Sequence, residues 1–485
     1  MYKKLMNSYW LKLALITLLL IDVGYTFKQH ASLPLDGDIA PIVVPDPHYQ
    51  DVLKDPLGFQ LISHPRDYPA SNRYFSHIAM ITYFKHFYTI ISPFFKDKIE
   101  CIYFMQGLFN TTIQILLLFL MSVLVLGHFN FWKNDFLLIA MLIAPFFQAH
   151  GLYSSIGIID NAVTYTFFYA LPLAILIIYC LPFYLAFYHK KPTSNFLKPI
   201  LWPIWLGLAI VVSFSGSIIA PLVLLCSPIV ILWMLYQKGK TLHPIKLVNQ
   251  FFKLPKPFLI FWIWLFVWCI YSFYIGQFNA EGQTDVGLIE RYEFLMKGLP
   301  KFFFHKITFI VIALILIINI YIIQSYETTR LNRFFKQLLL LLVFISCFYV
   351  LLLPLGGYRS YRPWIIRYDV FMPITLMLIT LVVLSTWRIL QTQLKENKLQ
   401  YSYLVFIVGI IAFFSISDNP EFYLNDCQND ALHQIEASNE SIIRLENDCT
   451  ILRWSKIKHP ENSKVVGDLL HIWGITENPV LFYQE

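Results

Sequence analysis

Long apolar runs alternate with short polar breaks over most of this chain. The runs fall at residues 9–27, 104–126, 136–149, 162–188, 200–214, 217–236, 258–276, 307–324, 337–355, 368–386 and 402–416. A hydrocarbon core of about 30 Å takes about 20 helical residues to cross. The pattern therefore predicts an all-α polytopic membrane protein with about 11 transmembrane helices. Three runs, 136–149, 200–214 and 402–416, are short for that task. The pair at 200–214 and 217–236 reads either as one broken helix or as a hairpin around Ser213–Ser217. The first run follows Lys3 and Lys4, has aromatic residues at both ends and is not followed by a small-residue cleavage site. It is expected to be an uncleaved first span with the N-terminus in the cytoplasm.

Between the first two runs lie roughly 75 residues, 28–103. Inside this loop, residues 74–95 are apolar enough to consider as a span, but Lys85 and His86 occupy the centre, where charge is costly in hydrocarbon. Apolar residues at 75, 78, 79, 83, 87, 90 and 91 predict a helix lying in the membrane interface instead. Eleven spans then place the loops at 127–135, 189–199, 237–257, 325–336 and 387–401 in the cytoplasm, and every one of them contains lysine or arginine. The opposite side receives 28–103, 277–306 and the tail. The expected organisation is a membrane domain, 1–416, and a small extracytoplasmic C-terminal domain, 417–485.

Composition agrees. The 485 residues are 57% hydrophobic, 17% aromatic and only 14% charged, against about 25% charged in soluble domains. Soluble globular, disordered, collagen-like and disulfide-scaffold classes are excluded. The net charge of +7 lies in short inter-span loops, and no nucleic-acid-binding motif is present, so the charge is topological. Five of the seven cysteines sit in apolar stretches. Cys427 and Cys449 lie in the polar tail, and an extracytoplasmic tail would let them pair. A continuous helix would hold them about 33 Å apart, so a disulfide requires the segment to double back, and residues 438–441 are the expected turn.

Three groups of residues are the main candidates for chemistry, and a fourth is a weaker signal. Asp36 and Asp38 flank a glycine just beyond the first span. They read either as paired carboxylates, one a general base and the other a metal ligand or orienting group, or as a simple Asx turn. Arg359, Arg362 and Arg367, followed by Tyr368, lie in a late loop on the side where the positive-inside rule disfavours arginine. Guanidinium groups there suit the phosphate oxygens of a ligand; the plainer reading has them reach lipid phosphates or pair with Asp369. Asp160 precedes the fourth run with no basic residue near it in sequence, and reads either as a functional acid at membrane depth or as a helix N-cap. Arg73 and His77 in the first outer loop are candidate contacts for a polar ligand.

A long acid-bearing loop after the first span, an amphipathic helix within it, a second acid in the next outer loop and arginines in a late one together resemble the GT-C superfamily of polytopic glycosyltransferases. The similar part runs from about residue 1 to 386. The resemblance implies a transferase that moves a sugar, with inversion, from a polyprenyl-phosphate-linked donor to an acceptor hydroxyl on a glycan, lipid or protein. It implies that Asp36 or Asp38 is the base or a metal ligand, with a divalent cation as the one cofactor to consider and Asp160 as a further ligand. Arg359, Arg362 and Arg367 would hold the lipid phosphate. The Asp-Gly-Asp string departs from the adjacent acid pairs of several branches. The implied location is a bacterial inner membrane with the active face outside. Two rival readings are a transporter or flippase of lipid-linked sugars, which would not need Asp36 and Asp38, and an O-antigen-type polymerase or ligase, whose large loop falls late in the chain.

Overall fold

The computed structural model describes residues 8–45, 47–147, 157–192, 198–239, 243–279, 286–304, 307–326, 329–360, 363–391, 397–418 and 421–484. Eight helices are long and apolar enough to cross a membrane: Tyr9–Ala31, Lys98–Leu126, Val163–Phe187, Ile219–Gln237, Lys256–Gly276, Thr308–Ser325, Phe335–Gly356 and Tyr368–Gln391. Shorter apolar helices, Asn134–Phe147, Pro199–Ser213 and Gln400–Ile416, occupy the three runs that are short in the sequence. Many large apolar side chains on these helices face outward, Leu20, Ile317 and Val405 among them. A surface of that kind is stable against lipid and not against water. The architecture is that of a helical, multi-pass membrane protein.

The first span packs against Lys98–Leu126 along a seam that is unusually polar. Gly107 lets the helices approach until a Cβ there would lie 2.9 Å from the Ala31 Cβ. Gln106 donates to the backbone oxygens of Leu33 (2.8 Å) and His30 (3.3 Å), capping the end of the first span, while His30 pairs with Gln114 (3.4 Å). Gln106, Asn110 and Gln114 recur every four residues and so share one buried face.

Residues 74–94 form a helical segment with a π-helical turn, Thr82–Phe87, between Tyr74–Ile81 and Tyr88–Ile91. Met80, Phe84 and Tyr88 are buried along one face while His86, Thr89 and Ile90 are exposed. The segment is amphipathic and is not among the eight long apolar helices.

The tail departs from the all-α expectation. Helices Asp426–Ala437 and Lys464–Ile472 accompany a two-stranded parallel sheet, Ile442–Leu445 with Leu481–Gln484, in which Ile442 faces Leu481 and Leu445 faces Gln484. Alternate residues Ile443, Leu445, Phe482 and Gln484 point inward, a period-2 pattern too short to stand out in sequence. Cys427 and Cys449 are joined by a disulfide with Cα atoms 6.2 Å apart. The helix ends at Ala437 and the strand starts at Ile442, so the chain reverses through 438–441. The unit is docked by Trp473, whose indole donates to the Phe84 oxygen (2.9 Å) and whose own oxygen accepts from Tyr88 (2.6 Å). Phe84 lies within the π-turn, so the indole bonds the backbone where the helix is irregular.

Replacing Gly107 with valine should force the first two spans apart and lower stability by about 1–3 kcal/mol. The same change at Gly207, where an added Cβ meets nothing within 4 Å, should cost far less. Thermal unfolding of both variants in detergent measures the difference.

Candidate functional site

The acid turn is anchored before it is reactive. Asp36 is buried, and its carboxylate accepts three hydrogen bonds: Thr164 N–H (3.0 Å), Thr164 Oγ1 (2.8 Å) and Asp38 N–H (3.0 Å). Thr164 belongs to the first turn of the Val163–Phe187 span, whose N–H groups have no partner within the helix. Asp36 therefore ties the first loop to the start of that span. Burial is the main reason its carboxyl is pushed up to about 6, and the negative charge of Asp38 adds to the rise. The hydrogen bonds from Thr164 and Asp38 oppose both.

Asp38 is only half-buried. Its Oδ1 accepts from the indole of Trp454 in the C-terminal unit (2.8 Å). Between the two acids, Gly37 lies so close to Arg453–Trp454 that a Cβ would fall 2.5 Å from the Trp454 nitrogen. Only glycine fits there. Trp454 in turn stacks on Tyr165 (5.9 Å between ring centroids, 24° between planes). The Tyr165 hydroxyl lies within electrostatic reach of Asp38, Asp160 and Arg367. Asp160 itself closes an Asx turn, accepting from Ala162 N–H (2.9 Å), but the N-cap of the helix is Ala162 with no side-chain bond, so Asp160 sits just ahead of the cap position expected for it.

One helical turn further along the same span is Tyr169, edge-on to Tyr165 at 5.9 Å. Three guanidinium groups gather around it: Arg367, whose Nη2 donates to the Tyr169 hydroxyl (3.2 Å), and Arg73 and Arg359 within electrostatic reach. Arg367 also pairs with buried Asp369 (2.7 Å). Arg73 sits over the Phe168 ring (5.5 Å), and His77, one turn beyond Arg73, stacks on the same ring (5.2 Å) and lies tilted against Tyr49. Tyr368 joins an aromatic cluster with Phe302 (4.8 Å), which also holds Phe309 and Phe371. Arg362 lies outside the described residues.

The backbone marks the same places. The non-glycine residues with positive φ include Ala70 (53°), Ile365 (60°) and Leu452 (49°). Each stands two or three residues before a site residue: Arg73, Arg367 and Trp454. Left-handed geometry costs about 1–3 kcal/mol per residue and persists where the surroundings enforce it, most often at functional sites. The residues Thr166–Ala170, which include Phe168 and Tyr169, are also π-helical, a feature frequent at such sites. The Ser76 hydroxyl faces both the Phe167 oxygen (2.8 Å) and the Ser215 oxygen.

Sequence reasoning did not find Thr164, Tyr165, Tyr169 or Trp454. The pair Tyr165 and Tyr169, four apart at the mouth of a span, was a readable signal. Trp454 gave none, since its partner is more than 400 residues away. Among the described residues no three His, Cys, Asp or Glu converge closely enough to hold a metal ion. Asp36, buried and already accepting three hydrogen bonds, has little of its carboxylate left to offer a cation. Comparison with protein-family models, with curated proteins and with solved structures finds no match to this chain.

The Asp36 carboxyl supplies a prediction. The folded chain retains a proton that the unfolded chain, at the ordinary value of 3.8, has released. Its stabilising contribution is complete below that value and is lost as pH rises through about 6. Asp36→Asn stays neutral and lacks this slope. Melting temperatures from about pH 4 to about pH 7 should therefore fall more steeply for the wild type than for the variant; parallel curves would contradict the burial argument.

Proposed function

We propose that the chain is a membrane glycosyltransferase that takes a sugar from a lipid-phosphate donor and passes it to an acceptor hydroxyl at the extracytoplasmic face. The observation that carries this reading is the convergence of acids and arginines on two successive turns of one span, around Tyr165 and Tyr169. An apolar cavity of about 430 Å³ adds to it. Its lining starts at Leu173 and Pro373, one turn beyond Tyr169 and Asp369, and continues between the spans to Tyr188 and Leu384. A phosphate at the arginines would have space beneath it for a hydrocarbon tail. In this reading eleven spans cross a bacterial inner membrane, with the first loop and the tail outside.

A sugar bound through phosphate already has a good leaving group. The acceptor oxygen attacks the anomeric carbon as the bond from that carbon to the phosphate oxygen breaks, inverting the centre. Asp38 takes the acceptor proton, and Arg73, Arg359 and Arg367 stabilise the departing phosphate. Asp38 is the better base because geometry decides first. The Asp36 oxygens are buried and committed to Thr164, whereas Asp38 reaches the surface. Asp36 then positions the turn.

Transfer from synthetic polyprenyl-phosphate sugars by the purified protein tests the reading. Asp38→Asn should fall in kcat by about 100-fold or more with its melting temperature intact. Arg359→Lys and Arg367→Lys should raise the donor KM, since lysine cannot reproduce bidentate contact. Wild-type transfer by Asp38→Asn, or an arginine effect confined to acceptor KM, would refute the assignment.

A further inference from the structure

The C-terminal unit does more than cover the outer face. Gln428 reaches from the Asp426–Ala437 helix to the residue preceding Asp36. Its Oε1 accepts from Leu35 N–H (2.7 Å) and from the Tyr103 hydroxyl (2.9 Å), and its Nε2 donates to the Leu35 oxygen (3.1 Å) and to the Thr450 oxygen (3.0 Å). One buried amide thus holds both backbone groups of the acid turn and the strand-to-helix loop that bears Trp454. That loop is fixed from two further directions. The disulfide ties Cys449 to Cys427, the neighbour of Gln428. Gln484 in the second strand donates to the oxygens of Asn447 (2.9 Å) and Cys449 (2.6 Å).

What this scaffold delivers is an indole that is 56% exposed yet held in place. Trp454 is reached through left-handed Leu452, seated on the Gly37 backbone, stacked on Tyr165 and hydrogen-bonded to Asp38. Arg453 beside it turns to the Asn462 oxygen (2.8 Å). A large side chain left in solvent gains little from burial, so packing alone does not account for the strained approach. We propose that Trp454 is a positioning residue for Asp38, fixing the rotamer of its carboxylate through the indole N–H, and that the Cys427–Cys449 disulfide and Gln428 keep it there. The C-terminal unit is then a constituent of the acid site. This rests on the reading of Asp38 as the base, but its first test does not.

The test uses the full-length protein in lipid nanodiscs. A water-soluble carbodiimide with an amine nucleophile modifies carboxylates at a rate set by their freedom and access, and mass spectrometry of the peptide spanning Asp36–Asp38 reads it. Trp454→Ala, and wild type whose disulfide has been reduced, should both be modified about fivefold faster there, the worth of one ordinary hydrogen bond. Trp454→His, which retains a ring N–H, should stay near the wild-type rate, and modification of exposed Asp430 should not change. Trp454→Phe, which keeps the stack and loses the donor, guards against misfolding of the alanine variant and should also be faster. Wild-type rates in both Trp454→Ala and Trp454→Phe would overturn the proposal. In the transfer assay, Trp454→Phe should lower kcat and leave donor KM unchanged, with recovery in Trp454→His. Full kcat in Trp454→Phe while Asp38→Asn is dead would refute the positioning role alone. Full transfer by Asp38→Asn would refute the catalytic reading and leave the labelling result to decide Trp454.

Discussion

The contact on which the site depends is the carboxylate of Asp36 at the first turn of the Val163–Phe187 span. Thr164 offers it a backbone N–H that no helix can satisfy internally, together with a hydroxyl on the same residue. Through that contact a loop that has just left the first span is fixed to the fourth apolar run, about 130 residues on. The candidate residues are referred to this span: Tyr165 stacks on Trp454 within electrostatic reach of the acids, and Tyr169 accepts from Arg367 within reach of Arg73 and Arg359. Moving the Asp36 contact would move the acid turn against the arginines, which hang on the next turn of the same helix.

Backbone accounting explains why the surroundings take the form they do. Two π-turns, Thr82–Phe87 and Thr166–Ala170, each have a backbone oxygen met by a side-chain donor: Phe84 by Trp473, and Phe167 by Ser76, which the Ser215 oxygen also faces. One donor belongs to the tail and the other to the loop after the first span, so the irregular turns join both segments to the helices. The strained residues Ala70, Ile365 and Leu452 require compensation of the same kind. It is available around Ile365, where Gly298 admits the Trp364 oxygen closely and Lys301 lies 3.6 Å from the Trp364 ring centroid.

Long-range hydropathy made the helices legible, because twenty apolar residues in a row have few alternative readings. The eight long helices and three shorter ones coincide with the runs read from sequence. Asp36, Asp38 and the arginines stood out for a different reason, as charges where charge is disfavoured. Hidden were the residues whose role comes from pairing across the chain. Asp36 and Thr164 are 128 residues apart, and Trp454 and Asp38 are 416; neither Thr164 nor Trp454 violates a local rule. The small parallel sheet escaped because four-residue strands separated by a helix leave no periodicity to read.

The central claim is that the arginines around Tyr169 and the apolar cavity beyond it form one site for a phosphate on a hydrocarbon chain. Native mass spectrometry of the protein with a polyprenyl phosphate, in competition with the uncharged polyprenol of equal length, addresses it directly. The account predicts that the phosphate is retained preferentially by wild type, and that Arg367→Gln abolishes the preference without abolishing weak binding of the alcohol. Equal retention of phosphate and alcohol by the wild type would contradict it.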